Sequence, residues 1–76
     1  MIRIESAIAR AKEQGIKVTR RDIAARLWPD ATPINQSVKI GLLIRGKTTR
    51  IEPRWVGIIC EMTGVSADFL LGISNE

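Results

Sequence analysis

The sequence predicts an all-α fold, a compact bundle of about five short helices. Three observations lead there. Apolar residues recur at spacings of three and four, as in Ile4, Ala7, Ile8 and Ala11, the signature of a helix with one buried face. Hydroxyl residues suited to capping stand ahead of such stretches at Thr19, Thr32 and Ser66. Helix-stopping residues separate them, at Gly15, Pro29, Gly46 and Gly64.

Length and composition bound the function. The 76 residues are read as one domain over 1–76, close to the lower size limit for a self-sufficient core. One Cys and no His leave no intrachain disulfide, no Cys/His metal site and no histidine acid–base catalyst. Neither metal nor cofactor is expected, and no convincing nucleophile–base pair argues for an enzyme. Cys60, among Ile58, Ile59 and Met62, reads as a buried, inert thiol. No apolar run approaches the roughly 20 residues of a membrane span, and Arg3 and Glu5 interrupt any signal-like pattern. A cytoplasmic protein is expected.

Charge is unevenly spread. The net +4 divides into +1 over residues 1–16, +6 over 17–54 and −3 over 55–76. The basic excess surrounds the second and third helices and favours a polyanionic partner; a solvated basic surface is the plainer alternative.

The first helix is read over residues 3–14, with Ile4 and Ile8 inward and Gly15 as its stop. The second opens at Thr19, with Asp22 completing a capping box and Val18 able to staple onto Ile23. Ile23, Ala24 and Leu27 are its inward stripe. Arg20 and Arg21 stand in its first turn, where the helix dipole disfavours cations by a few tenths of a kcal/mol. A phosphate would offset that conflict and could also take the turn's backbone N–H groups; two solvated arginines are the alternative.

Pro29 ends this helix at Trp28. Thr32-Pro33, a cap followed by proline at the first helical position, opens a third helix to about Ile44. It holds six large apolar residues, too many for one narrow stripe. Ile40, Leu43 and Ile44 are assigned to the core, and Ile34 and Val38 to packing on the second helix or Trp28. Asn35, Gln36, Ser37, Lys39 and Gly41 are left for the outer face. Asn and Gln can pair bidentately with adenine, Lys reaches guanine or phosphate, and glycine permits close backbone approach. A polar, solvated face on a core helix is the alternative. Two short helices joined by a break, the second polar on one side, are a common device for entering a DNA major groove.

Arg45, Lys47 and Arg50, with Thr48 and Thr49 between them, form a basic loop around Gly46 that could grip a nucleic-acid backbone. Residues 41–48, G-L-L-I-R-G-K-T, fit the expression for a nucleotide-binding P-loop. No preceding strand is evident, and the chain has no room for the α/β sheet such a loop serves, so the match is rejected. Pro53 opens a fourth helix with Trp55, Ile58, Ile59 and Met62 inward, and Arg54 offers another phosphate contact. Ser66 caps a short fifth helix, with Val65 able to staple onto Leu70. Phe69, Leu70, Leu71 and Ile73 exceed what one terminal turn buries, so some of them pack across the bundle or meet a second copy. Ser74 to Glu76 are expected to fray.

Three pieces together resemble the lambda-repressor-like family of helix-turn-helix DNA-binding domains, which includes phage Cro and repressor proteins. They are T-R-R-D-I-A-A-R-L, I-G-L-L-I-R-G-K-T and I-I-C-E-M-T-G-V-S-A-D-F-L-L-G, and they lie within Val18 to Gly72. The resemblance implies a five-helix bundle, a recognition helix in the major groove and a dimer on a two-fold operator. It also implies phosphate contact by Arg20, groove contacts by Gln36, Ser37 and Lys39, and loop contacts by Arg45 and Lys47. The chain departs from the family at Trp28, where glycine is common, at the longer connection through Pro33, at Ile44, usually acidic, and at Gly41, usually a hydroxyl residue.

The expectation is thus a sequence-specific binder of double-stranded DNA, a homodimeric transcriptional regulator of phage or mobile-element type. Asn35, Gln36, Ser37 and Lys39 would read bases; Arg20, Arg21, Arg45, Lys47 and Arg50 would hold phosphates. The rival is a protein-interaction module, such as the antitoxin of a toxin–antitoxin pair, binding its partner through Trp28, Leu42 and the C-terminal apolar residues. An exposed Leu42 would favour it.

Overall fold

A computed structural model of the chain describes residues 2–47 and 50–73. The expected fraying of Ser74 to Glu76, and the loop hydroxyls Thr48 and Thr49, lie outside the described residues. Five helices follow one another: α1 (Ile4–Glu13), α2 (Arg20–Leu27), α3 (Pro33–Ile44), α4 (Pro53–Thr63) and α5 (Ala67–Leu70). The fold is all-α, as the periodicity predicts, and no described helix is long and apolar enough to cross a membrane.

The starts of the helices are local chemistry. Thr19 Oγ1 accepts from the Asp22 N–H at 3.2 Å while the Asp22 carboxylate accepts from the Thr19 N–H at 3.1 Å, a closed capping box. Thr32 caps α3 through the Asn35 N–H, with Pro33 at the first helical position, and Ser66 caps α5 through the Phe69 N–H. The end of α3 is equally local. Gly46 adopts φ +73°, which lets its N–H reach the Leu43 carbonyl and the Lys47 N–H reach Leu42. These two bonds satisfy carbonyls the helix leaves open, and the same pair of bonds closes α1 and α5.

One apolar core joins the elements. Ile4 and Ala7 of α1, Ile23, Ala24 and Leu27 of α2, Ile40 and Leu43 of α3, Trp55 and Ile59 of α4, and Phe69 and Leu70 of α5 are all buried. Ile8, Val18, Ile44, Ile58 and Met62 are half-buried against it. α4 packs on α1, α2 and α5, whereas α3 packs chiefly on α2. That asymmetry decides what α3 exposes.

Ile2 and Thr63 join the core without having been expected there. Ile2, which the periodicity left out, is buried, and the neighbouring Arg3 N–H donates to the Leu70 carbonyl at 2.8 Å, tying the start of the chain to α5. Thr63 is fully buried and donates its hydroxyl to the Ile59 carbonyl at 2.7 Å, so it enters the core without an unpaired polar atom. Trp55 is the largest core side chain; its Nε1 has no partner among the described residues, and its ring meets Trp28 edge-on with centroids 5.5 Å apart. Cys60 is half-buried, and that burial pushes its thiol pKa up, away from the reactive thiolate. Leu71 and Ile73 are exposed, while Phe69 and Leu70 turn inward.

Candidate nucleic-acid interface

The candidate face is built on α2, α3 and the turn between them. That turn is where Pro29 withholds a backbone donor and the chain must reverse before Thr32. The Ala31 N–H donates to the Trp28 carbonyl at 3.1 Å. The Gln36 side-chain amide then donates to Trp28 O at 2.9 Å and to Ala31 O at 3.2 Å. A residue in the first turn of α3 therefore reaches back and closes the connection that precedes it.

In the DNA-free chain this arrangement competes with the expected role of Gln36 as a base reader. Bidentate pairing with adenine needs a free amide N–H beside the amide oxygen, but Gln36 Nε2 is engaged with two backbone carbonyls and the side chain is half-buried. In the free chain it holds the turn. The signal was present in the sequence: a proline-interrupted turn leaves carbonyls needing donors, and Gln36 is among the nearest side chains able to supply them.

The other polar residues of α3 are exposed but do not share one line. Ser37 lies with Arg20 and Arg21 around a cleft of about 640 Å³ between α2 and α3, whose wall includes Gln36, Ile40 and Gly41. Asn35 and Lys39 lie on the opposite flank around a second cleft of about 410 Å³, with Trp28, Asp30 and Arg54. Lys39 Nζ sits 5.8 Å from the centroid of the Trp28 ring, a cation–π arrangement that aims the ammonium along this flank. Arg54, in the first turn of α4, joins the face from a different helix.

Between the flanks runs an apolar line. Ile34, Val38 and Leu42, four residues apart, are 77%, 53% and 39% exposed. The expectation that Ile34 and Val38 pack on α2 or Trp28 is overturned. At 3.6 residues per turn, a helix that buries Ile40 and Leu43 must present the 34–38–42 row outward, away from α2, on which α3 chiefly packs.

Gly41 has a second use. Arg45 Nε donates to the Gly41 carbonyl at 3.1 Å, and a Cβ at Gly41 would lie 3.2 Å from Arg45 Nη2. The missing side chain makes room for the guanidinium to lie back along α3, so the space expected for an approaching backbone holds an arginine of this chain. Arg45 is the C-cap of α3 and belongs to its exposed face.

At the start of α2 the capping box employs the N–H groups of Thr19 and Asp22. The Arg20 and Arg21 N–H groups precede the first possible intrahelical bond, and both residues line the cleft between α2 and α3. Lys47 and Arg50 are exposed, but neither lines either cleft. The structure thus groups Arg20, Arg21 and Ser37 around one cleft and Asn35, Lys39 and Arg54 around the other, with Arg45 laid back on Gly41 and Lys47 and Arg50 lining neither cleft. Compared with protein-family models, with curated proteins and with solved structures, the chain matches none.

Proposed function

We propose that this protein binds double-stranded DNA sequence-specifically, with α3 in the major groove, and acts as a cytoplasmic, non-enzymatic transcriptional regulator of the kind found in phages and mobile elements. The observation that carries this reading is the charge arrangement around α3. Arg20 and Arg21 from α2, Arg45 from the α3 C-cap and Arg54 from α4 flank one exposed helix face, with Asp30 the acid among the cleft-lining residues. A helix fits the major groove, and its flanking cations then meet the phosphates on either rim. Arg20, Arg21, Arg45 and Arg54 are the phosphate contacts at the face, with Lys47 and Arg50 extending them. Asn35, Ser37 and Lys39 are the polar base contacts. The lambda-repressor-like resemblance agrees with this arrangement, and the exposed Leu71 and Ile73 offer apolar surface for a two-fold dimer.

Selection of bound duplexes from a random pool, with affinities at two salt concentrations, tests the proposal. A recurring motif bound roughly a thousandfold above random sequence is expected. Six engaged cations correspond to a log–log salt slope of about −5 for each bound protomer, and so about twice that for a dimer. Binding with that slope and no motif would contradict sequence recognition.

One observation favours a second reading. Leu42 is exposed, and with Ile34 and Val38 it forms the apolar surface that a protein-interaction module, such as an antitoxin, would offer its partner. Such a partner must also be acidic to face the flanking arginines. Failure to retain any duplex, together with saturable binding of an acidic protein lost on Val38→Ser, would establish that reading instead.

A further inference from the structure

We infer that the Ile34–Val38–Leu42 row reads the 5-methyl groups of thymines, so that the DNA site this protein selects is marked by thymines facing Ile34 and Val38; this rests on the reading of α3 as the helix that enters the groove. The row is the outermost line of α3, and among the described residues its exposure runs from 77% at Ile34 through 53% at Val38 to 39% at Leu42. Between Ile34 and Val38 that line presents no donor or acceptor side chain, because Asn35 and Lys39 stand on one flank, Ser37 on the other, and the Gln36 amide is turned to the backbone of the preceding turn. Among the natural bases the thymine methyl is the apolar feature of the major groove. An apolar row at the centre of the helix face is complementary to it and to no hydrogen-bonding edge.

The flanking charges identify the occupant. A second copy docked through a two-fold axis would set Arg20, Arg21, Lys39, Arg45 and Arg54 against themselves, and like charges opposed across an interface are strongly unfavourable. A major groove has the reverse layout, an uncharged floor between two anionic rims. It satisfies the apolar row and both cationic flanks at once. Ile34 and Val38 are separated by one helical turn, about 6 Å of rise, or roughly two base-pair steps of about 3.4 Å.

The test uses a duplex selected from the random pool, in which each thymine is replaced singly by deoxyuridine, which pairs identically and lacks only the methyl. Substitution at two positions roughly two steps apart should weaken binding by about fourfold each, the worth of one buried methyl. Val38→Ala should abolish sensitivity at one of these positions and Ile34→Ala at the other, each variant keeping its response at its neighbour's position. Both changes fall on exposed helix positions where alanine is well tolerated, and circular dichroism verifies that the helices persist. A selected motif with no deoxyuridine-sensitive position overturns the inference while leaving DNA recognition intact, as does sensitivity that both variants retain. A pool that yields no motif overturns DNA reading by α3 and the inference with it.

Discussion

α3 and α4 are written in the same local grammar and meet opposite fates. Each has proline at its first helical position, and they are 12 and 11 residues long. Each carries more large apolar residues than one stripe requires. In α4 those residues all reach the core or its margin: Trp55 and Ile59 are buried, and Val56, Ile58, Cys60 and Met62 are packed against it. In α3 only Ile40, Leu43 and Ile44 do so, while Ile34, Val38 and Leu42 face out. The difference lies in their neighbours. α4 is surrounded by α1, α2 and α5, and α3 rests chiefly on α2. An apolar residue is covered only where the chain supplies a cover, and Arg20, Arg21 and Arg54 line the clefts on either flank of α3.

The largest effect that could break this comparison is on stability. Ile59→Ala in α4 and Ile40→Ala on the inner side of α3 should each cost about 2–5 kcal/mol in urea denaturation, through lost burial and the cavity left behind. Val38→Ala should stay within about 0.5 kcal/mol of the parent. A Val38→Ala penalty as large as that of Ile40→Ala would mean the outer row is covered after all.

On a selected DNA site, Lys39→Ala should lose about 1–3 kcal/mol and relax preference at one position, whereas Lys47→Ala should weaken all sequences alike and flatten the salt slope by about one. Equal responses to cognate and random duplexes from both variants would erase the distinction between reader and clamp. Gln36→Ala sharpens the contrast further. It should reduce stability by about 1–2 kcal/mol, because the Trp28 and Ala31 carbonyls lose a donor. It should leave the base preference of the selected motif unchanged, and a changed preference at one position would restore Gln36 as a reader.

The smallest expected change is at Gly41. Gly41→Ala should raise stability by up to about 1 kcal/mol from helix propensity alone, since the crowded neighbour is the flexible end of Arg45. Displacing that guanidinium should lower DNA affinity at low salt and reduce the salt slope. A destabilised variant would show that the guanidinium cannot move aside.

Much of the fold was legible because its signals are local. Thr19 with Asp22, Thr32 with Pro33 and Ser66 each act within a few residues, and each helix start falls where those residues put it. The inner row of α3 was legible in part, since Ile40, Leu43 and Ile44 share a side at helical spacing. The outer row was not, because periodicity shows that residues share a face and not whether another helix lies against it. The Gln36 contacts were not legible for a similar reason: a glutamine suits a base edge as well as a backbone carbonyl, and the competing carbonyls of Trp28 and Ala31 emerge only once the turn is closed. Arg45 looked like part of a loop until Gly41 left room for it on the helix. Ile2 escaped because it precedes α1 and no helical spacing marks it.

The central claim is that the exposed face of α3, with its flanking cations, is the contact surface for DNA. Titrating the isotopically labelled protein with a selected duplex and following backbone amide shifts by NMR tests this most directly. The account predicts that the largest shifts fall on Arg20 and Arg21, on the Ile34–Val38–Leu42 row with Ser37 and Lys39, and on Arg45 and Arg54. Shifts confined to Leu71 and Ile73, or spread evenly over the basic surface while the α3 row stays still, would contradict it.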